Sequence, residues 1–138
     1  MSDTRAIVTD MYAAYERRDF ERVAGYLHHD IDWVIYGPVQ VFPFQGARRG
    51  KVAVLEALGA IAKDYALESY TPQIVVVDGD RAAVMSDATF VQRATQRTLR
   101  FKLANFLRLR DGQVIEFREF ADTFDAVEQA LGRWIEVG

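Results

Sequence analysis

Residues 98–121 read TLRFKLANFLRLRDGQVIEFREFA, and their pattern decides the fold class. Apolar and polar residues alternate on either side of Asp111-Gly112, which is typical of two antiparallel strands joined by a tight hairpin. In the first strand, Thr98–Arg110, the odd positions are apolar apart from Asn105, whereas most even positions are charged. We therefore expect the odd face of this strand to be buried.

Two polar residues fall on the faces that we expect to be buried. These are Asn105 on the first strand and Glu119 on the second. If Leu109 pairs with Gln113, then Leu103 faces Glu119 and Asn105 lies diagonally close to it. Burial would raise the pKa of Glu119, which suits a general acid or base near neutral pH.

Both residues also have a structural interpretation, which the sequence leaves open. Asn105 can bond to a neighbouring side chain or loop, since burying an amide without a partner costs roughly 1–3 kcal/mol. Glu119 can belong to a buried ion pair, for example with Arg93.

The remaining sequence predicts helices and further strands around this hairpin. Hydrophobic spacing, caps and turn residues predict helices over residues 5–17, 20–29, 51–65 and 123–135, and strands over residues 30–36, 73–77, 82–93, 98–110 and 113–121. We interpret residues 39–50 as a loop. Antiparallel strands with helices packed on one face make an α+β fold, and we expect a single domain over residues 1–138.

Composition narrows the class of protein. The 138 residues are 50% hydrophobic, carry a net charge of −3 and include no cysteine. Because the basic residues are scattered, we expect no nucleic-acid partner. Disulfides and cysteine–metal sites are excluded, which fits a cytoplasmic protein. We see neither a signal peptide nor an apolar run long enough to span a membrane.

Four segments together resemble the SnoaL-like, ketosteroid isomerase-related branch of the nuclear transport factor 2 (NTF2-like) superfamily. They are residues 12–19, residues 27–33, residues 43–46 with Gly50, and residues 111–122. The resemblance covers nearly the whole chain. It implies a cone-shaped, cystatin-like fold in which a curved antiparallel sheet wraps around three helices, with a further helix at the C-terminal end.

The resemblance offers three catalytic precedents. The base position of ketosteroid isomerase falls near Ile35 or Tyr36, and its tyrosine falls at Met11, one residue from Tyr12, so that apparatus is mostly missing. Limonene epoxide hydrolase would place its water-activating carboxylate at Glu119, but its Arg and second Asp fall near Ala88 and Phe90. Polyketide cyclases of the SnoaL type use one acid on the last strand, which again matches Glu119.

These considerations predict a buried pocket for a small apolar molecule. Its expected wall is mostly aromatic and consists of Tyr12, Trp33, Tyr36, Phe44, Phe101, Leu103 and Phe117. Trp33 and Tyr36 are three residues apart, so in a regular strand only one of them faces the pocket. Phe44 lies in a loop that we expect to cover the pocket as a lid.

The sequence therefore predicts a small enzyme without a cofactor, an isomerase, cyclase or epoxide hydrolase, with Glu119 as acid–base and Asn105 as polarising donor. The alternative is a non-catalytic binding or scaffold domain. We expect no metal, because the adjacent His28 and His29 are better explained as the end of a helix. The fold family implies a homodimer through the outer sheet face.

Overall fold

A computed structural model of the chain describes residues 3–138, so residues 1 and 2 of the predicted domain lie outside the described range. The helices are α1 (Thr4–Glu16), α2 (Phe20–Gly25), α3 (Lys51–Asp64) and α4 (Thr123–Leu131). The strands are β1 (Leu27–Ile35), β2 (Gly46–Arg49), β3 (Tyr65–Asp78), β4 (Arg81–Gln92), β5 (Thr98–Arg110) and β6 (Gln113–Ala121).

The strands form one curved sheet in the order β2-β1-β6-β5-β4-β3. Every neighbouring pair is antiparallel except β1 with β6, which is parallel. Helix α1 packs against β3 and β4, and α3 packs against β1 and β3, so the core lies between the sheet and these helices. The predicted α+β class and its cystatin-like form are confirmed. No helix within residues 3–138 has the length and apolarity needed to cross a membrane.

The structure confirms the predicted helix caps and the predicted buried face of β5. Asp19 and Asp122 accept backbone N–H bonds at the starts of α2 and α4, as side-chain caps do. The odd face of β5 is buried as predicted, and Asn105 on that face has no exposed surface.

The register of the final hairpin differs by one residue from our expectation. Arg110 pairs with Gln113, and Leu109 then pairs with Val114. Asp111 and Gly112 both adopt positive φ and form a two-residue turn, one residue shorter than the turn that a Leu109–Gln113 pair would require. A bulge in the strand after Val114 follows, and Val114 lines the interior, contrary to the predicted alternation.

Several element boundaries were also predicted wrongly. Strand β1 begins at Leu27, so His28 and His29 lie in a strand and not at a helix end. Residues 46–49 form edge strand β2 inside the expected loop. Strand β3 starts directly after α3, at Tyr65, and runs well beyond the predicted residues 73–77.

The C-terminal helix is shorter than predicted and less buried. It ends at Leu131, where Gly132 adopts the left-handed conformation that commonly terminates helices. The hydrophobic spacing of this helix predicts that Phe124 and Leu131 are buried, but both are exposed, and Ala126 is its buried residue.

Candidate functional site

The concave face of the sheet and the helices enclose a cavity of about 140 Å³. Residues of α1, α3, α4, β1 and strands β3 to β6 form its wall. Most of the lining side chains are apolar or aromatic, and they include all seven residues that the sequence suggested: Tyr12, Trp33, Tyr36, Phe44, Phe101, Leu103 and Phe117. Asn105 and Glu119 belong to the same wall.

Both Trp33 and Tyr36 contribute to the wall, although strand alternation predicted only one. Trp33 is buried and its ring stacks on Phe117 with 3.9 Å between ring centroids. Tyr36 follows Ile35, the last residue of β1, so alternation no longer fixes its direction. Its half-exposed ring reaches the edge of the cavity and stacks on Phe120 at 4.7 Å.

The loop between β1 and β2 closes one side of the cavity. Phe42 is buried, and Phe44 packs between it and Tyr65 with centroid distances of 5.7 and 6.2 Å. A side chain at Gly37 would collide with Gln45, because a Cβ there would lie 1.9 Å from the Oε1 atom of Gln45. Any larger residue at this position would therefore require the flexible end of the Gln45 side chain to move.

Four polar side chains meet at one point of this wall. Asn105 on β5 and Glu119 on β6 are directly paired across the two strands. The Nδ2 atom of Asn105 donates to Oε1 of Glu119 over 3.0 Å. The Oδ1 atom of Asn105 accepts the hydroxyl of Tyr12 at 2.6 Å and that of Tyr70 at 3.3 Å.

Comparison with known proteins shows the family. The SnoaL-like domain family matches residues 8–117. The chain belongs to the SnoaL-like family. No curated protein matches the sequence.

Solved structures with the same fold agree with this assignment. A proposed isomerase from Rhodopseudomonas palustris is 36% identical, with a TM-score of 0.85 over 96% of this chain and 99% of that one. A proposed SnoaL-like polyketide cyclase from Mesorhizobium loti is 17% identical, with a TM-score of 0.70 over 86% and 99%. A cystatin-like protein of unknown function from Xanthomonas campestris is 23% identical, with a TM-score of 0.76 over 96% and 99%. The last two share the fold alone.

Burial controls the electrostatics of Glu119 in this SnoaL-like domain. Loss of solvent around the carboxyl raises its pKa from the ordinary value of 4.5 to about 7, and the hydrogen bond from Asn105 opposes the rise. The side chain keeps some accessible surface because it lines the cavity. Glu119 therefore passes between its neutral and charged forms near neutral pH.

The tyrosines beside Glu119 stay neutral. Burial raises the pKa of Tyr12, Tyr15 and Tyr70 well above the ordinary tyrosine value, and the nearby Glu119 charge raises each further. Glu119 is therefore the group of this cluster that changes its charge near neutral pH.

The structure answers the alternatives that the sequence left open for this pair. Arg93 donates to the backbone oxygen of Ala62, so it does not form the ion pair that we considered for Glu119. Within residues 3–138, Asn105 is the hydrogen-bond partner of Glu119, and no cation contacts the carboxylate.

Sequence reasoning missed Tyr70 entirely. It lies in the part of β3 that we left unassigned, where the register of pairing with β4 shifts around residues 67–69. Alternation is lost at such a bulge, so the sequence offered no pattern to place Tyr70 on the inner face.

The described residues contain one cluster with metal-ligand atoms close together. His28, His29 and Asp30 bring one ligand atom each to within 4.8 Å of one another. His29 and Asp30 are exposed, and none of the three lines the cavity.

Proposed function

We propose that this SnoaL-like domain is a small enzyme that moves protons on a small hydrophobic molecule, with Glu119 as its acid–base group and no cofactor. The observation that carries the proposal is a carboxyl on the wall of an apolar cavity whose pKa burial raises to about 7. A group that is partly ionised at working pH can both take and return a proton.

The size of the cavity supports a substrate of one ring. An apolar cavity of roughly 150 Å³ accommodates benzene, and this one measures about 140 Å³. A substrate of one ring therefore matches this volume better than a polycyclic substrate, as in the polyketide cyclase precedent.

The surroundings of Glu119 favour an isomerase-type reaction over epoxide hydrolysis. Hydrolysis in the precedent uses an additional Arg and Asp, and the corresponding positions hold Ala88 and Phe90. Asp87 directly precedes Ala88 in the sequence, but it pairs with Lys102 at 2.8 Å. A carboxylate can take a proton from the carbon beside a carbonyl and, as the carboxylic acid, return it to another carbon of the resulting enolate.

Asn105 supports the reaction through Glu119 in this proposal. Its side chain has no exposed surface, and it donates to the carboxylate. We therefore assign it to holding Glu119 in place, in contrast to the polarising donor that the sequence suggested.

Exchange of substrate hydrogen with solvent tests the proposal. Single-ring enolisable ketones are incubated with the protein in D₂O, and the loss of the α-proton signal is followed by NMR. We expect exchange by the wild type, and a rate lower by about 10²–10⁴-fold in Glu119→Gln with ligand affinity kept within a few fold.

Glu116→Gln is the matched control, because Glu116 lies on the same strand but bonds to Arg108 and does not line the cavity. Binding without any Glu119-dependent exchange would instead support the alternative, a domain that holds a small apolar molecule without chemistry.

We further propose that a second copy of the chain covers the outer face of the sheet. Phe106, Phe120 and Tyr36 are exposed there, between 45% and 52%. Beside these rings, Arg108 pairs with Glu116 at 2.6 Å and Arg118 pairs with Asp32 at 3.2 Å. The aromatic part of the face therefore presents little unpaired charge against its own copy. Sedimentation should show a dimer for the wild type and a monomer for Phe106→Glu. A monomeric wild type would refute the proposed dimer.

A further inference from the structure

The hydrogen-bond network behind Glu119 has a direction. A carbonyl oxygen has two lone pairs, and Oδ1 of Asn105 receives two hydroxyl donors, from Tyr12 at 2.6 Å and Tyr70 at 3.3 Å. With both lone pairs occupied, the oxygen of this amide faces the tyrosines. The NH₂ end must then face Glu119, where it donates to Oε1.

Rotation of the amide would take the acceptor away from both tyrosine hydroxyls. Asn105 has no exposed surface, and Tyr12 and Tyr70 are buried, so these groups have few alternative partners. After rotation, the NH₂ group could donate to a tyrosine oxygen but could not accept from either hydroxyl, and Oδ1 would face the carboxylate oxygen of Glu119. The two tyrosines thus hold the amide in one orientation.

Tyr70 is itself fixed from outside the cavity. Its backbone N–H donates to Oε2 of Glu16 over 2.8 Å, and the hydroxyl of Thr71 donates to the same oxygen over 3.2 Å. Helix α1 therefore supplies both Tyr12 and the anchor that keeps Tyr70 in place.

The fixed amide has a consequence for the two oxygens of Glu119. Oε1 faces a donor in every protonation state, so it stays an acceptor. Oε2 has no hydrogen-bond partner among residues 3–138 and keeps accessible surface on the cavity side. A proton on Glu119 is thus held at Oε2.

Resting on the proposed function, we infer that Tyr12 and Tyr70 are positioning residues that lock the Asn105 amide and so place the transferable proton of Glu119 on the oxygen that faces the substrate. The titratable groups that surround Glu119 are Tyr12 and Tyr15 from α1 and Tyr70 from β3, and burial keeps all three protonated.

The pKa of Glu119 in the ligand-free protein tests the lock. It is measured by carboxyl ¹³C NMR in the wild type and in the double variant Tyr12→Phe/Tyr70→Phe. Without the hydroxyls, Oδ1 of Asn105 is free to turn and accept a hydrogen bond from the neutral carboxyl. We expect the pKa to rise by on the order of one unit, because a bond to the neutral form replaces a bond to the charged form.

Tyr15→Phe is the matched control. Tyr15 lies on the same helix and packs edge-on against Tyr70 at 5.3 Å, but it makes no hydrogen bond to Asn105. Its removal should leave the pKa of Glu119 unchanged. The side-chain NH₂ signals of Asn105 give a second measurement: they should keep their hydrogen-bonded shift through the titration in the wild type and lose it in the double variant.

An unchanged Glu119 pKa in the folded double variant would overturn the lock. If the double variant does not fold, the single variants decide, with the larger rise expected for Tyr12→Phe because its bond is shorter. Equal values in both single variants and the wild type would overturn the inference. Since no turnover is needed, the lock can fail while the acid–base proposal stands, and the exchange assay with Glu119→Gln tests that proposal separately.

Discussion

The two faces of β6 shift the pKa of a glutamate in opposite directions. Glu116 bonds to Arg108 on the outer face, and this hydrogen bond lowers the pKa of its carboxyl below the ordinary value. Glu119, three residues further on, faces the cavity, and burial raises its pKa to about 7. One strand therefore carries a carboxylate that stays charged at neutral pH and a carboxyl that changes its charge there.

The difference comes from the partner that each carboxyl receives. A guanidinium stabilises the charged form directly, whereas the Asn105 amide only partly offsets the loss of water. A stabilising ion pair and a reactive acid thus need the same side chain in different surroundings. Separating their effects requires experiments in which one carboxyl changes while the other serves as control.

The largest expected effect is on stability as a function of pH. Between about pH 4.5 and 7, the folded protein keeps a proton on Glu119 that the unfolded chain has lost. The free energy of unfolding therefore falls as pH rises through this window, by about 3 kcal/mol, and levels off above it. Glu119→Gln should remove this loss, as urea unfolding near pH 5 and near pH 8 would measure.

Glu116→Gln should lower the free energy of unfolding at pH values where the carboxylate is charged, which is the opposite of the effect of Glu119→Gln. Because the pKa of Glu116 is lowered, its contribution is present above the ordinary glutamate pKa and disappears as pH falls through the folded-state value. If the wild type and Glu119→Gln lose stability equally between the two pH values, Glu119 is not desolvated and the contrast between the faces breaks down.

The next largest effect is on rate. If Glu119 acts as the base, proton exchange of a bound ketone follows its ionised fraction, which is about 1% two units below its pKa. The rate should therefore rise up to about a hundredfold from pH 5 to the plateau above pH 7, equivalent to roughly 2.7 kcal/mol. Glu116→Gln should leave the midpoint in place. A flat wild-type profile would argue against Glu119 as the base.

Local alternation explains how much of the fold the sequence predicted. The strands β5 and β6 were identified because apolar and charged residues alternate along them, and Asn105 and Glu119 stood out as exceptions. Their exact pairing was missed, because the two-residue turn and the bulge after Val114 each move the register by one residue. Together these shifts turned a diagonal neighbour into a direct hydrogen-bonded partner.

Other features lacked any local signal. Strand β2 consists of Gly46–Arg49, which has no apolar alternation and lies at the edge of the sheet. The contact of Tyr70 with Asn105 joins β3 to β5 beyond a bulge. In α4, spacing showed that Phe124 and Leu131 are apolar, but not whether another element covers them. Long-range packing decides whether such residues pair or are covered, and the local periodicity of the sequence gives no information about that packing.

The smallest expected effect isolates the outer carboxylate. Replacing Arg108 with leucine removes the hydrogen bond that is the main cause of the low pKa of Glu116, so this pKa should rise toward the ordinary value. The free energy of unfolding at neutral pH should fall by less than about 1 kcal/mol, since both side chains are partly exposed to water.

Carboxyl ¹³C NMR on Arg108→Leu follows both carboxyls in one titration. Arg108 does not line the cavity, so the pKa of Glu119 should stay where it is. A simultaneous shift of Glu119 would mean that the outer charge reaches the cavity through the sheet. The two faces would then be one coupled system, and the pKa of the inner carboxyl would depend on the outer ion pair as well as on burial.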